Sequence, residues 1–177
     1  MESDCRKHFV FRKYTSRLSF GIREISDFEK IVRVKLKPYE KILLINTGMT
    51  ENILRIIVGS PVKINVLYQK AQKNIILRKV QIELEENPEL VLLIAYSKIN
   101  VKCVPIKILN KIKKMESGIG MIIESARLET YKKIIEVGYN PRDFKLYREY
   151  YILYEKQKMM KIKEIFLLNN LKKCKIH

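Results

Sequence analysis

Two stretches of the chain alternate apolar and polar residues as β-strands do, yet each carries a charge in its apolar phase. Glu164 falls in the apolar phase of a strand predicted over 159–168, and Arg78 in that of a strand predicted over 75–85. Arg and Glu are rarely buried fully unless they are paired. The pattern therefore predicts either a structural ion pair between Arg78 and Glu164 or a shielded polar site within one sheet.

The remaining pattern predicts an α+β fold, with an antiparallel sheet of about six strands and helices packed on one face. Three strands joined by short turns form a meander, and two more lie near the C-terminal end. Helical spacing and capping residues mark short helices before and after the meander. The predicted strands are 62–69, 75–85, 90–99, 147–154 and 159–168, and the predicted helices are 26–33, 39–45, 51–58, 104–114, 121–125 and 130–137.

The length of 177 residues predicts a single domain. Residues 1–26 are basic and are interpreted as a loose arm or an edge strand around 18–22, and 169–177 as a frayed basic tail. Residues 1–20 hold no apolar run of the kind a signal peptide needs, and the longest apolar run, Leu90 to Ala95, is too short to span a membrane. The prediction is a cytoplasmic protein, monomeric or homodimeric.

The net charge of +17 favours an anionic partner, such as nucleic acid, acidic lipid or a small polyanion. The lysines are scattered along the chain, however, and a Lys/Ile-rich, Trp-free composition is also typical of hot or AT-rich sources. Tyr150 and Tyr154 alternate with Tyr151, so these three rings cannot form one stacking platform. Nucleic-acid binding is therefore not the favoured interpretation of the charge.

Metal and redox sites are not predicted. The three cysteines, Cys5, Cys103 and Cys174, are too far apart for a CxxC spacing and are interpreted as reduced thiols. The two histidines, His8 and His177, lie at the termini, which disfavours a histidine-based triad or a metal centre. No cofactor is expected.

Eight short motifs in order resemble the chorismate pyruvate-lyase family, most closely its archaeal branch. The resemblance runs from about Lys37 to Leu168. The motifs are Thr47-Gly48-Met49-Thr50, Gly59-Ser60-Pro61-Val62, Leu77-Arg78-Lys79-Val80, Ala95-Tyr96-Ser97-Lys98-Ile99, Gly118-Ile119-Gly120, Arg127-Leu128-Glu129-Thr130, Arg148-Glu149-Tyr150 and Lys163-Glu164-Ile165-Phe166.

The chain departs from the family pattern at three positions. Gly118 replaces a proline before Ile119, Lys132 stands where archaeal relatives tend to carry arginine, and Lys158 occupies a hairpin position that is usually proline. These departures bear on substrate preference and rate more than on the fold.

The resemblance implies a cofactor-free lyase that splits chorismate into 4-hydroxybenzoate and pyruvate. It implies that Arg78 binds the ring carboxylate and that Glu164 contacts the 4-hydroxyl, as acceptor, acid or base. It also implies that main-chain groups at Met49 and Ile119 touch the product. The second carboxylate of chorismate needs another cation, and the candidates are Arg127, Lys132 and Arg148.

Two other function classes stay open. The same fold resembles the ligand-sensing effector domains of GntR-type repressors, which bind a small molecule without turning it over. Those domains normally follow a winged helix-turn-helix, for which residues 1–36 are too short. The third class is a nucleic-acid-binding protein, in which the positive surface would supply the attraction to the phosphates.

Overall fold

The computed structural model describes residues 12–16, 18–115 and 117–174. Within these ranges the chain forms seven strands, six α-helices and one 3-10 turn at Val101–Cys103. The strands are β1 Arg12–Thr15, β2 Val62–Gln72, β3 Ile75–Leu84, β4 Val91–Asn100, β5 Tyr131–Asn140, β6 Lys145–Tyr154 and β7 Gln157–Leu167. The helices are α1 Ile22–Val32, α2 Pro38–Ile45, α3 Thr50–Val58, α4 Ile106–Lys114, α5 Ile119–Ser125 and α6 Leu168–Lys173.

All seven strands belong to one antiparallel sheet with the order β1-β5-β6-β7-β4-β3-β2. Two meanders, β2-β3-β4 and β5-β6-β7, meet where β4 pairs with β7. The α+β class and the antiparallel sheet are confirmed. The sheet has seven strands rather than about six, because β1 adds an edge strand beside β5, with Tyr14 opposite Val137.

The predicted helix over 130–137 is wrong, because this segment is strand β5. A β-bulge between Ile134 and Glu136 shifts the register, so Ile134 and Val137 both point to the buried face at a spacing of three residues. That spacing imitates a helix. Gly138 does not end a helix. It leaves room for the ring of Tyr147, whose Cε1 would lie 2.2 Å from an added Cβ.

The two ends of the described chain are more ordered than the pattern predicts. The predicted edge strand lies at 12–15 rather than around 18–22, and residues 1–11 of the basic arm lie outside the described ranges. The first helix begins at Ile22, where the Glu24 carboxylate accepts the Gly21 N–H at 2.8 Å. Of the predicted frayed tail 169–177, residues 169–173 belong to α6, because Leu171 is buried in the core, and residues 175–177 lie outside the described ranges.

One hydrophobic core joins the helices to one face of the sheet. Phe28, Leu43 and Leu54 of the first three helices belong to the same buried cluster as Leu93 and Phe166 of the central strands. Alternate strand positions therefore point to a helix-covered inner face, and the intervening positions to an outer face. No helix in the described ranges is long and apolar enough to cross a membrane.

Candidate functional site

A cavity of about 300 Å³ lies between the inner face of the sheet and two covering segments, the α2–α3 loop and the start of α5. Strands β3, β4, β6 and β7 supply its floor, which is mainly aliphatic. A mainly apolar cavity with a few converging polar groups is typical of a small-molecule site. Its polar and charged lining residues are Thr47, Thr50, Glu51, Ser97, Glu124, Thr130, Lys132, Tyr150 and Glu164.

Glu164 is buried at one side of this cavity and accepts three hydrogen bonds. Its Oε1 accepts from the hydroxyls of Thr50 at 2.8 Å and Tyr150 at 2.9 Å, and its Oε2 accepts from Arg148 Nε at 2.7 Å. A carboxylate has about four lone-pair positions. Within the described part of the chain Oε2 therefore keeps one position to offer a ligand.

The Arg148 guanidinium is fully buried at 0% exposure. Besides Glu164, it donates to the Asn46 carbonyl and, at 2.9 Å, to the Thr50 hydroxyl. Arg148 rather than Arg78 is thus the ion-pair partner of Glu164. The interpretation of Arg78 and Glu164 as a structural pair is wrong, because the register places β4 between their strands.

The charges around Glu164 keep its carboxyl ionised. Burial acts to raise the pKa of Glu164, but the positive charges of Arg148 and Lys132 and the hydrogen bonds from Arg148 and Thr50 outweigh it, so the pKa is lowered. Burial and the neighbouring Glu164 charge raise the pKa of the Tyr150 hydroxyl well above its ordinary value. Glu164 is therefore an anionic acceptor, and Tyr150 a neutral donor to it.

Arg78 lies on the same face as Glu164 and is 1% exposed. Its Nη2 donates to the Ser117 carbonyl at 2.5 Å, whereas no described residue accepts from Nε or Nη1. Burial lowers the pKa of Arg78. A buried guanidinium with two unsatisfied nitrogens is unfavourable unless something accepts from them. Arg78 is thus suited to an anionic group.

The distance between the two predicted site residues follows from the register. Arg78 is opposite Ser97, and Ser97 is opposite Ile162, two residues before Glu164. With strands about 4.8 Å apart and about 3.4 Å per residue, the two Cα atoms lie about 12 Å apart. Arg78 does not itself line the cavity, but its neighbours Val80 and Ser97 do. The arginine lies beside the cavity, beneath the loop that precedes α5.

The Met49 segment is bound to the sheet by the same polar groups. Arg148 donates to the Asn46 carbonyl, Lys132 donates to the Gly48 carbonyl, and Thr50 donates to Glu164. Met49 lines the cavity. The loop over the cavity is therefore held by two cations and one carboxylate from three different strands.

Ile119 also lines the cavity, where α5 begins. The preceding Gly118 has φ −65° and ψ 149°, a backbone conformation that proline also adopts. A Cβ at Gly118 would lie 2.4 Å from Ile64 Cδ1. The glycine thus keeps a proline-like backbone conformation here, while Ile64 occupies the space a side chain would need.

The three candidate cations for a second carboxylate have different surroundings. Arg127 is exposed and does not line the cavity, and Arg148 is occupied by Glu164. Lys132 lines the cavity, with its ammonium 5.2 Å from the centre of the Tyr150 ring. Burial, and to a smaller extent the charge of Arg148, lower the pKa of Lys132 to about 8, against the opposing effect of Glu164. Lys132 is the candidate that remains.

The donors to Glu164 are not identified as a set by the sequence pattern. Arg148 alternates in phase with Leu146 and Tyr150. It is therefore a charged residue in the core-facing phase of a strand, which is the signal that distinguishes Arg78 and Glu164. Thr50 carries no comparable signal, since a threonine at a helix start is ordinarily a cap. No group of His, Cys, Asp or Glu side chains in the described ranges is arranged to hold a metal ion.

The chain matches no protein-family model, and no curated protein matches it significantly.

Proposed function

We propose that this protein is a chorismate pyruvate-lyase, forming 4-hydroxybenzoate and pyruvate from chorismate. The observation that carries the proposal is that two buried groups with unused hydrogen-bonding capacity lie on the same face of the sheet. Arg78 keeps two donor nitrogens without acceptors among the described residues, and Glu164 keeps one acceptor position. A six-membered ring with a carboxylate at one end and a hydroxyl at the other satisfies both.

The proposed pose puts the ring carboxylate at Arg78. A planar guanidinium binds a carboxylate with directed, charge-assisted hydrogen bonds, which gain strength when water is excluded. The cavity of about 300 Å³ is at the small end of ligand sites, which suits one ring and a short substituent. Aliphatic floor residues such as Val80, Ala95 and Ile162 would face the ring.

Glu164 would then accept the 4-hydroxyl on Oε2. Because its pKa is lowered, Glu164 is assigned as an acceptor rather than as an acid. Lys132 would bind the enolpyruvyl carboxylate or the oxygen that departs with it. The main-chain groups of Met49 and Ile119, in the two covering segments, would enclose the ring.

The reaction itself needs little covalent chemistry from the protein. The proton on C4 leaves, its electron pair completes the aromatic ring, and the C3–O bond breaks with its electrons going to the ether oxygen. The released enolpyruvate takes up a proton at its methylene carbon and becomes pyruvate. Orientation of the substrate and stabilisation of the charge on the departing oxygen are the terms that side chains can supply.

The test is incubation of purified protein with chorismate, with 4-hydroxybenzoate measured by chromatography against a protein-free control. Arg78→Ala should lower turnover by at least about 100-fold, as expected when a positioning charge is lost. The matched control is Arg142→Ala, at an exposed arginine far from the cavity, which should keep full activity. An unchanged rate in Arg78→Ala, or no product beyond the protein-free rate, would refute the proposal.

A second candidate is a ligand-sensing module of the same fold. The observation in its favour is that Glu164 is held as a charged acceptor by three fixed donors, an arrangement that serves binding without any proton transfer. It predicts an increased melting temperature with 4-hydroxybenzoate and no conversion of chorismate. Turnover that depends on Arg78 would exclude it.

A further inference from the structure

Lysines that are far apart in the sequence lie together on the outer face of the sheet. Because the strand register fixes which positions point away from the helices, these residues can be assigned without ambiguity. Ten lysines and three glutamates occupy this face in the described ranges. The lysines are Lys13, Lys63, Lys70, Lys79, Lys98, Lys133, Lys145, Lys158, Lys161 and Lys163, and the glutamates are Glu83, Glu136 and Glu149.

A groove of about 330 Å³ crosses the middle of this face. Two of its walls are tyrosine rings, Tyr68 and Tyr96, which are 43% and 44% exposed. The Lys79 ammonium lies 5.5 Å from the centre of the Tyr96 ring. Lys98, Lys161 and Lys163 also line the groove, together with Leu77, a single carboxylate, Glu149, and the strand residues Arg78 and Ser97. Aromatic surface and positive charge are thus interleaved in one depression.

The register places two like charges directly opposite each other in this groove. Lys98 of β4 faces Lys161 of β7. Like charges opposite each other on adjacent strands destabilise a sheet. Glu149 offsets part of the repulsion, since it lies 2.6 Å from Lys161 Nζ. A bound anion would offset the remainder, so the arrangement favours an anionic partner.

We propose that this outer face binds single-stranded nucleic acid along the groove across β3, β4 and β7. Lysines supply phosphate contacts, and exposed rings such as Tyr96 stack on bases whatever their sequence. In a duplex the bases are already stacked on one another and cannot use these rings. A second copy of the chain would present the same positive face and be repelled. The proposal is independent of the activity assigned to the cavity on the other face.

The first test measures fluorescence anisotropy of a labelled oligothymidylate of about 20 nucleotides over a range of salt concentrations. The double variant Lys70→Gln/Lys98→Gln removes two exposed outer-face charges, and Lys107→Gln/Lys114→Gln removes two exposed charges from α4. We expect the first pair to reduce the slope of log affinity against log salt by about 1.4, and the second to leave it unchanged. Equal losses in both pairs would overturn the proposal, because binding would then follow net charge alone.

The second test separates stacking from charge. Tyr96→Ala should weaken binding about five- to tenfold, whereas Tyr96→Phe, which keeps the ring, should bind as the parent does. A duplex of the same length and polyglutamate should both bind more weakly than the single strand. No binding at low salt, equal binding of duplex or polyglutamate, or an unaffected Tyr96→Ala variant would each overturn the proposal. Thermal melting of every variant confirms that it is folded.

Discussion

Replacing Glu164 by Gln removes the charge that balances a fully buried guanidinium. Arg148 is 0% exposed and bonds Glu164 at 2.7 Å, and Lys132 adds a second positive charge nearby. Breaking a buried ion pair from one side costs about 3–5 kcal/mol, because it leaves an uncompensated charge. We expect Glu164→Gln to lower the free energy of unfolding by about 4 kcal/mol.

The double variant Arg148→Met/Glu164→Gln tests whether that cost comes from the charge left behind. Its loss in the free energy of unfolding should be about 2 kcal/mol smaller than the sum of the losses in the two single variants. A coupling of that size is within the range measured for contacting residues. The matched surface pair is Lys161 and Glu149, at 2.6 Å on the outer face. Their side chains are 41% and 19% exposed, so removing either should cost less than about 1 kcal/mol.

Urea unfolding followed by far-UV circular dichroism is the suitable assay, since the chain has no tryptophan. At about 3 °C per kcal/mol for a chain of this size, Glu164→Gln should also lower the melting temperature by about 12 °C. If Glu164→Gln lowers the free energy of unfolding as little as a change in the surface pair does, the buried Arg148 does not need the charge of Glu164. The assignment of Glu164 as an anionic acceptor would then be withdrawn.

Three further outcomes follow from the site. Because the pKa of Lys132 is lowered to about 8, the KM for chorismate should rise as the pH passes 8, and Lys132→Arg should shift that rise to higher pH in steady-state kinetics. Gly118→Ala should cost no more than about 1.5 kcal/mol, because the contacting atom, Ile64 Cδ1, is the end of a flexible side chain that can rotate away, and Ile64→Val, which lacks that atom, should remove this cost in chemical denaturation. Folding lowers the pKa of Glu164 from 4.5, so its stabilisation is complete above pH 4.5 and is lost as the pH falls further; an acid titration should show a component that is missing in Glu164→Gln.

The charged residues of the core face could be found from alternation alone, but their partners could not. Arg148 and Glu164 share a face only because of a β-bulge in the β6–β7 hairpin, between Ile152 and Leu153. Without that bulge the register of the hairpin turn would place Arg148 opposite Lys163. A bulge inserts one residue and leaves no strong mark in the sequence. The ion pair therefore depends on a feature that pattern analysis does not detect.

A second β-bulge explains why residues 130–137 were wrongly predicted to be a helix. The bulge in β5 puts Ile134 and Val137 on the same face at a helical spacing. Strand pairing on both sides then decides the conformation, against the local pattern. Local signals were sufficient for one end of each of two helices. Proline at the first turn marks the start of α2, and glycine after the last residue marks the end of α3.

The charges at the cavity lead to a prediction that separates the proposed substrate from the proposed product. Lys132 is the one cation among the described residues that line the cavity, whereas Arg78 and Arg148 lie beside it and Arg148 is paired with Glu164. Chorismate carries two carboxylates and 4-hydroxybenzoate carries one, which the proposed pose assigns to Arg78, so Lys132 is left for the second carboxylate of chorismate. Lys132→Met should therefore raise the KM for chorismate about tenfold or more, about 1.4 kcal/mol, and change the inhibition constant of 4-hydroxybenzoate little.

The readout is the ratio of the two constants, measured in one steady-state assay with added product. A matched control is Lys133→Met, on the neighbouring residue that points to the outer face, which should change neither constant. A Lys132→Met variant that weakens chorismate and 4-hydroxybenzoate equally would mean that Lys132 acts only through the Gly48 carbonyl, by holding the covering loop. In that case the second carboxylate would have to be bound by a group other than Lys132.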